Sequence, residues 1–480
     1  MKTRIQCIHL TGIGGIGMSG IAELLHNQGF SVQGSDAAES PNVLKLRGLG
    51  IAVSIGHAKE NLGKAQVVVT STAIAKDNPE VNEAKKKGIP IIPRAEMLAE
   101  LMRMKQGVAV AGSHGKTTIT SMIAHGMETA GLDPTYVIGG RLMATGDNAK
   151  LGSSPWLVAE ADESDGSFLR LAPTIAVVSN IDPEHLDHYG DFEHLMQAFR
   201  QFVNLTPFYG RVVLHHEHPN VAALREGLHK PVTTYGSSPQ ADLHLMNVKP
   251  DGNGQQLTVG IREKKQTCHF RLPMPGRHNA ENALAAIAVL LDLGVDTKTI
   301  KQAMESFAGI QRRFQCTSSN SGVLVDDYAH HPKEIMATLE AAIACWPEKE
   351  IAVIFQPHRY TRTQDLMAEF LGAFDTAHEV ALLPIYAASE TAIKGISSEN
   401  MVENMRTRGH RHVTYCQSLE TAKKHALQNL SNGKVVLLMG AGSIGSLAQQ
   451  LRDAINEQPD DKKNRPIANG LTDLNAGALP

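Results

Sequence analysis

Cysteine is scarce in this sequence of 480 residues, and its five cysteines are scattered without a Cys-x-x-Cys pair. This distribution argues against a disulfide framework or a zinc site and favours reduced thiols. Long apolar runs are missing too: the most apolar run, 283–291, has about half the length that a membrane span needs. No signal-peptide core follows the N-terminus. We therefore expect a cytoplasmic protein without membrane insertion.

The sequence also has no large excess of either positive or negative charge, since the formal net charge is only −3. The total charge therefore predicts neither a nucleic acid nor an anionic membrane as a partner. An anionic ligand would have to be held by local groups. The length exceeds what one hydrophobic core supports, because single cores stop growing near about 250–300 residues. We therefore expect three domains.

Short β-branched runs alternate with helical patterns through residues 1–105, which predicts a doubly wound parallel sheet. A second unit opens with a strand at 108–110, and apolar strands follow at 156–159 and 175–178. Residues 211–275 alternate like antiparallel strands, with a turn signal at 251–254. The predicted domains are residues 1–105, 106–311 and 312–458, followed by a disordered tail at 459–480.

The strongest single motif is Gly-x-x-Gly-Lys-Thr-Thr at residues 112–118, between a predicted strand and a predicted helix. Glycines let backbone N–H groups face a phosphate, and the helix N-terminus adds its dipole. Lys116 can neutralise phosphate oxygens, and the Thr117 hydroxyl can reach Mg²⁺. The motif is not a complete phosphate-loop consensus, because Val110 replaces its first glycine. The alternative, a glycine-rich turn with a solvated lysine, is weaker because strand and helix are both predicted.

Acidic and histidine-bearing segments follow the two next strands of this unit, at 160–165 and 180–188. Ligands of open α/β sheets gather at the carboxyl ends of strands, so we expect both segments to converge on the phosphate loop. Carboxylate oxygens suit Mg²⁺, and a second cation beside His185 is compatible with this pattern. Any one of these residues alone would be interpreted as part of a solvated loop. Together with the motif they favour a metal–nucleotide site.

Two glycine fingerprints, Gly-x-Gly-x-x-Gly at 12–17 and again at 440–445, each follow a predicted strand. The first, with Asp36 at the end of the next strand, is typical of dinucleotide binding and supports an NAD-dependent dehydrogenase. Two fingerprints beside a phosphate loop fit three nucleotide-type folds, each holding a different reactant, better than one dehydrogenase. The C-terminal glycines are also explained by a tight strand-to-helix turn alone.

Ordered motifs across residues 5–455 resemble the Mur ligase family. They are GIGGIGMSG at 12–20, GSHGKTT at 112–118, EADESD at 160–165, NIDPEHLDH at 180–188, GRHNAEN at 276–282, RRF at 312–314, DDYAHHP at 326–332 and PHRYTRT at 357–363. The resemblance implies an α/β fold of three domains. These are an N-terminal Rossmann-like parallel sheet, a central phosphate-loop ATP-binding domain and a C-terminal Rossmann-like domain that binds an amino acid.

The resemblance also implies roles for particular residues. The UDP-sugar site would comprise Gly12, Gly14, Gly15, Gly17, Asp36, Ser71, Thr72 and Ala73. The ATP site would comprise Gly112, Ser113, His114, Gly115, Lys116, Thr117, Thr118, His278, Asn279, Asn282 and Arg313. Amino-acid binding would involve Tyr328, His331, Arg359 and Arg362, and the metal ligands would be Thr117, Glu160 and His185. The catalytic set would be Lys116, His185, Arg313 and His331, with His185 a proton acceptor only if it holds no metal.

The implied reaction is the Mg²⁺-dependent, ATP-driven addition of L-alanine to the carboxylate of UDP-N-acetylmuramate through an acyl-phosphate, with Mn²⁺ as an alternative metal. ADP and phosphate would be released, and peptidoglycan precursor synthesis would be the context. Two other functions remain possible: a recycling ligase that adds a whole peptide to the same nucleotide sugar, and a nucleotide-gated binding module. The protein could be a monomer or a homodimer. Ser443 departs from the pattern, because the family usually has Asp there.

Overall fold

A computed structural model describes residues 1, 4–71, 73–75, 77–319, 321–388 and 390–456. Thr72 and the predicted tail at 459–480 lie outside the described residues. The chain forms two compact units: residues 1–315 with 340–347, and residues 316–339 with the chain from 348 onward. The first unit holds two β-sheets and the second holds one. None of the described helices is long and apolar enough to cross a lipid bilayer.

The N-terminal sheet has five parallel strands in the order β3-β2-β1-β4-β5. Its strands are β1 (Cys7–Thr11), β2 (Ser31–Asp36), β3 (Ala52–Ile55), β4 (Val67–Thr70) and β5 (Ile91–Pro93), and its helices are α1 (Ile16–Asn27), α2 (Pro41–Gly48), α3 (Pro79–Lys87) and α4 (Arg94–Arg103). The strand order reverses between β1 and β4, which opens a crevice at the carboxyl ends of the strands. The predicted parallel sheet is confirmed.

The central sheet has ten strands in the order β15-β14-β13-β12-β11-β10-β6-β9-β7-β8. They are β6 (Gln106–Ala111), β7 (Thr135–Val137), β8 (Ala149–Lys150), β9 (Trp156–Glu160), β10 (Pro173–Val178), β11 (Arg211–His215), β12 (Val232–Gly236), β13 (Leu243–Asp251), β14 (Gly254–Ile261) and β15 (Gln266–Leu272). Its helices are α5 (Lys116–Thr129), α6 (Leu186–Tyr189), α7 (Phe192–Asn204), α8 (Pro219–Ala222), α9 (Arg277–Asp292) and α10 (Thr297–Ser306).

The prediction of antiparallel strands through 211–275 is only partly right. β13, β14 and β15 are antiparallel, and the turn at 251–254 joins the first two. β11 and β12, however, pair in parallel with each other, and β11 pairs in parallel with β10. In β11 the side chains of Val212, Val213 and Leu214 are fully buried, so β11 lacks the alternation of a half-exposed antiparallel strand.

The second unit carries a six-stranded sheet in the order β16-β17-β21-β18-β19-β20, parallel from β17 to β20. The strands are β16 (Gln315–Ser318), β17 (Val323–Asp327), β18 (Ile351–Phe355), β19 (Glu379–Leu382), β20 (Val413–Tyr415) and β21 (Val435–Met439). The helices after β17 are α11 (Pro332–Cys345), α12 (Tyr360–Asp365), α13 (Met367–Ala373), α14 (Ser398–Thr407), α15 (Leu419–Ser431) and α16 (Ile444–Asn456), and the end of α11 from residue 340 is counted with the first unit. Strands β17, β18 and β21 are buried along their whole length, as expected of parallel strands covered on both faces. β18 and β21 are apolar throughout, whereas β17 ends in Asp326 and Asp327.

Candidate active site

The phosphate loop connects β6 to α5, and its two glycines have no room for a side chain. Gly112 has φ +133° and Gly115 has φ +85°, both in the region that favours glycine. A Cβ at Gly112 would collide with the Ser179 hydroxyl, and one at Gly115 would collide with the amide of Asn282. The loop therefore lies against the end of β10 on one side and against α9 on the other.

Asn180, two residues after the end of β10, holds the loop in place. Its Oδ1 accepts the N–H of His114 at 2.7 Å, and its Nδ2 donates to the His114 carbonyl at 3.1 Å. The Ser179 hydroxyl donates to the same carbonyl at 2.7 Å, and Ser113 Oγ accepts the N–H of Asp182 at 2.9 Å. β10 and β9 flank β6, so both acidic segments border the loop, as predicted. The candidate site therefore lies at the carboxyl ends of β9, β6 and β10.

Lys116 opens α5 and is paired with a carboxylate. Its Nζ donates to Glu163 Oε1 at 2.7 Å and Oε2 at 2.9 Å, and to the Gly112 carbonyl at 2.6 Å. Burial alone would lower the pKa of Lys116, but the negative charges of Glu163 and Asp162 outweigh it and raise that pKa. Lys116 is therefore a fixed positive charge at the loop.

Thr117 and Glu160 form an oxygen-rich pair beside the lysine. Thr117 Oγ1 donates to Glu160 Oε2 at 3.1 Å, while Glu160 Oε1 accepts the N–H of Gly139 at 2.6 Å. Burial raises the pKa of Glu160, although the charges of Lys116 and Arg313 act in the opposite direction. A buried carboxylate with a raised pKa is under-compensated by its protein neighbours, so this site fits a hard divalent cation.

The other predicted ATP-binding residues lie at the N-terminus of α9, except for Arg313, which lies just before β16. Asn279 is buried and donates to the Pro275 carbonyl at 2.7 Å, and Asn282 is buried against Gly115. The His278 ring packs over Gly276, where a Cβ would collide with it. The positive charge of Arg313 acts to lower the pKa of Glu160, so Arg313 lies near enough to influence that carboxylate.

His185 lies in the segment after β10, whereas Glu160 ends β9. His185 has φ +57°, unusual for a residue with a side chain, and it precedes the short helix α6. Its Nε2 lies 3.9 Å from Glu184 Oε2. In the described part of the chain, the side chains of Thr117 and Glu160 form no hydrogen bond with His185. Of the three metal ligands expected from the sequence, Thr117 and Glu160 are hydrogen-bonded to each other, and the membership of His185 stays a prediction.

The N-terminal glycine loop lies between β1 and α1. The Gly14 N–H donates to Asp36 Oδ2 at 2.8 Å, and the Gly14 carbonyl accepts from Asn42 Nδ2 at 2.8 Å. Gly15 precedes α1, and Gly12, at φ +77°, faces Ser71 across the crevice between β1 and β4. Ala73 is exposed on the same loop after β4. The structure therefore collects the described members of the predicted sugar-nucleotide set at one end of the sheet.

A cavity of about 190 Å³ lies between these two loops within the first unit. Its walls include Gly17 of α1 and Lys116 and Glu160 of the central domain. Arg94 and Asp162 also line it and face each other with Arg94 Nη2 at 3.4 Å from Asp162 Oδ2. The Arg94 guanidinium packs on Gly17, which explains why a side chain cannot stand there. The cavity places charged groups where a carboxylate from the first loop could meet a phosphate on the second.

The second unit gathers its own predicted residues around His358. The Tyr328 and His330 rings are 5.3 Å apart, the His330 and His358 rings 6.0 Å, and Arg362 Nη1 lies 3.5 Å from His358 Nδ1. Burial, together with the positive charges of His330 and Arg362, lowers the pKa of His358 to about 4. His331, the next residue in the chain after His330, is buried.

Arg359 and the C-terminal glycines are fixed by backbone geometry. Arg359 has φ +71°, and its N–H donates to the Tyr386 carbonyl at 2.8 Å. A Cβ at Gly440 or Gly442 would collide with Gln356, so these glycines serve close packing. Ser443, where the family pattern has Asp, accepts a hydrogen bond from Gln356 Nε2 at 3.0 Å.

Sequence reasoning missed the roles of Glu163, Arg94 and Asn180 as individual residues. Glu163 and Asn180 fall inside segments that were singled out, but their partners are set by the crossing of strands far apart in the chain. Arg94 carried no signal at all, because it lies in a plain helix-start sequence whose neighbour is Gly17, 77 residues earlier. Only the packed structure pairs them.

Three family models match successive parts of the chain. They are the Mur ligase family catalytic domain over residues 7–106, the Mur ligase middle domain over 110–290, and the Mur ligase glutamate ligase domain over 312–442. The chain belongs to the Mur ligase family. Its three-domain α/β architecture is therefore that of a Mur ligase, as the sequence motifs predicted.

Individual relatives cover nearly the whole chain. It is 50% identical over 459 residues to the UDP-N-acetylmuramate–L-alanine ligase of Mesorhizobium japonicum, covering 94% of this chain and 98% of that one. The enzyme of the same name from Anaeromyxobacter dehalogenans is 49% identical over 451 residues, with 94% and 98% covered. The crystal structure of the Thermotoga maritima UDP-N-acetylmuramate–alanine ligase superposes with a TM-score of 0.81 at 29% identity, covering 94% of this Mur ligase and 99% of that chain.

Proposed function

We propose that this Mur ligase joins L-alanine to the carboxylate of UDP-N-acetylmuramate at the expense of ATP, forming ADP and phosphate. The observation that carries the proposal is the cavity whose walls include both Gly17 and Lys116. A carboxylate held at the first loop and a terminal phosphate held at the second would meet there. The names of the relatives that match over nearly full length support the choice of substrates. We also infer a cytoplasmic enzyme, because five scattered cysteines without a Cys-x-x-Cys pair fit a reducing compartment.

The division of labour follows the three domains. Residues 1–105 hold the nucleotide sugar through the glycine loop and Asp36, residues 106–311 hold ATP, and residues 312–458 hold the amino acid. Within the last domain, the amino-acid site is assigned to Tyr328, His331, Arg359 and Arg362. The support for this assignment is the gathering of aromatic and cationic groups around His358.

The chemistry answers a leaving-group problem. A carboxylate does not react with an amine at neutral pH, because oxide is a poor leaving group. Transfer of the γ-phosphoryl group to the carboxylate makes phosphate the leaving group, and the amine then attacks the acyl-phosphate. Lys116 carries the positive charge that offsets the charge on the transferring phosphoryl group, and Arg313, whose charge reaches Glu160, adds to it.

Thr117 and Glu160 are the residues that would hold Mg²⁺, since they offer adjacent oxygens and a carboxylate that lacks a full counter-charge. When bound, the cation would supply charge neutralisation on the phosphate oxygens. His185 is assigned to a second cation or to proton transfer, but not to both, because a metal-bound ring nitrogen cannot accept a proton.

The test is phosphate release by the full chain with ATP and Mg²⁺, adding UDP-N-acetylmuramate and L-alanine singly and together. We expect release only with both present. Lys116→Ala should reduce the rate by a factor of at least about 10³, as removal of a comparable charge does in other phosphoryl-transfer sites. Lys264→Ala, an exposed lysine of the same domain, is the matched control and should be unchanged.

Other outcomes would redirect the proposal. Turnover with a peptide but not with L-alanine would identify a recycling ligase. Reduction of NAD by the wild type, with no phosphate release, would favour the dehydrogenase. Near-normal release by Lys116→Ala would remove the phosphate-loop assignment altogether.

A further inference from the structure

A fully buried carboxylate, Glu80, lies beneath the strand ends of the N-terminal sheet and has no part in the chemistry above. It sits in the first turn of α3, where the helix dipole favours a negative charge. Five groups donate to its two oxygens. Oε2 accepts from His9 Nε2 at 3.0 Å, Thr11 Oγ1 at 2.9 Å and Ser35 Oγ at 2.7 Å, and Oε1 accepts from Asn61 Nδ2 at 2.7 Å and the Ala58 N–H at 3.4 Å.

The hydroxyl of Ser35 links Glu80 to His57 by hydrogen bonds to both side chains. Ser35 Oγ lies 2.7 Å from Glu80 Oε2 and 2.9 Å from His57 Nδ1. An ionised carboxylate only accepts, so the single hydroxyl proton of Ser35 points to Glu80. The oxygen of Ser35 must then accept from His57, which requires a proton on Nδ1. Glu80 Oε2 lies 3.7 Å from the same Nδ1, which also disfavours a lone pair there.

A proton on Nδ1 leaves Nε2 of the neutral ring as a hydrogen-bond acceptor. Nδ1 is hydrogen-bonded to the buried Ser35, so Nε2 is on the opposite side of the ring from Ser35. The His57 side chain is 21% exposed. Within the described residues, no protein donor to this Nε2 is found. The ring therefore offers an acceptor to a ligand that carries an N–H group.

The position of His57 indicates which part of a nucleotide it would meet. In sheets of this type, phosphates bind at the loop after the first strand and the ribose at the acidic end of the second. These places correspond to Gly12–Gly17 and Asp36 here. The Gly56 N–H donates to the Asp36 carbonyl at 2.8 Å, so His57, after β3, is one step farther along the strand ends. The base of the nucleotide comes next in this order.

We propose that Glu80, acting through Ser35, fixes the tautomer of His57 so that its Nε2 accepts the N3–H of a uracil base. The inference rests on the proposed function for the presence of a uridine nucleotide. Uracil carries a donor at N3 and cytosine carries an acceptor at the same place, so this tautomer selects uridine over cytidine nucleotides. Glu80 and Ser35 are positioning residues, and His57 is the one that touches the ligand.

The tautomer is measured directly by long-range ¹H–¹⁵N correlation spectra of the full chain labelled with ¹⁵N-histidine, with His57→Asn to assign the signals. We expect the Nδ1–H form of His57 in the wild type. Ser35→Ala should shift His57 toward the Nε2–H form. Thr11→Val is the matched control, because it removes a hydrogen bond to the same carboxylate oxygen without touching His57. It should leave the tautomer unchanged.

Binding is measured by calorimetry with UDP and with CDP. The wild type should prefer UDP. Ser35→Ala should weaken UDP binding about tenfold and should not weaken CDP binding, because the Nε2–H form of His57 can donate to N3 of cytosine. Thr11→Val should keep the wild-type ratio of UDP to CDP affinity. Equal losses in both variants would mean that the cluster serves stability alone and would overturn the proposal.

The spectra separate failure of this inference from failure of the proposed function. An Nε2–H form of His57 in the wild type overturns the inference even if the ligase reaction is observed. Ligase activity with equal affinities for UDP and CDP overturns base selection while leaving the proposed function intact. Absence of any UDP binding, with no phosphate release, defeats both.

Discussion

Glu80→Gln is the substitution whose effect on stability can be worked out most fully. Burial raises the pKa of Glu80, but the hydrogen bonds from His9, Asn61 and Ser35 outweigh it and lower that pKa to about 2 from its ordinary 4.5. At about 1.4 kcal/mol for each pKa unit, the ionised group contributes about 3 kcal/mol. Because the folded pKa is depressed, this contribution is complete above about pH 5 and is lost as the pH falls toward 2.

Hydrogen exchange of the amides in β1 and β2 measures the free energy of opening that this carboxylate affects. At pH 6 we expect Glu80→Gln to lower this free energy of opening by about 3 kcal/mol. The glutamine side chain is neutral, and its NH₂ group would face hydrogen-bond donors that now point to a carboxylate oxygen. The difference from the wild type should shrink as the pH approaches 2. Glu60→Gln, with an exposed side chain in the same domain, is the control. A loss below about 0.5 kcal/mol at pH 6 would refute the reasoning.

Three further substitutions probe the central domain. Gly115→Ala should lower kcat/KM for ATP at least about tenfold, whereas Gly131→Ala, which shares the positive φ but faces open space, should not; equal effects would mean that strain alone is measured. Asn180→Ala frees the phosphate loop and should raise the KM for ATP about tenfold in a steady-state assay, and an unchanged KM would contradict this. Phe168 is buried and packs on the rings of Phe199 and Phe202, so Phe168→Ala should destabilise the chain by about 3–5 kcal/mol in denaturant titration. Phe208→Ala, at a side chain that is 82% exposed, should cost almost nothing, and similar losses would argue against this packing.

Much of the fold could be read from the sequence, because local patterns report local structure. The runs at 67–69, 108–110 and 351–355 are apolar and β-branched, and all three are buried parallel strands. The glycines of the phosphate loop also carry a local requirement, a positive φ at a strand-to-helix turn. The parallel pairing of β11 and β12 was not readable, since buried strands lose the alternation that distinguishes them.

The candidate site divides along the same line. By itself the sequence determined which segments carry chemistry, because Lys116, Glu160 and Asp36 each follow a strand, where the ligands of such sheets gather. Only the tertiary structure decided which groups meet: Lys116 with Glu163, Arg94 with Gly17, and Glu80 with Ser35. The physical reason is that these contacts depend on the order of strands in a sheet and on packing between domains. A chain's local preferences specify its strands, but they do not specify which strands become neighbours.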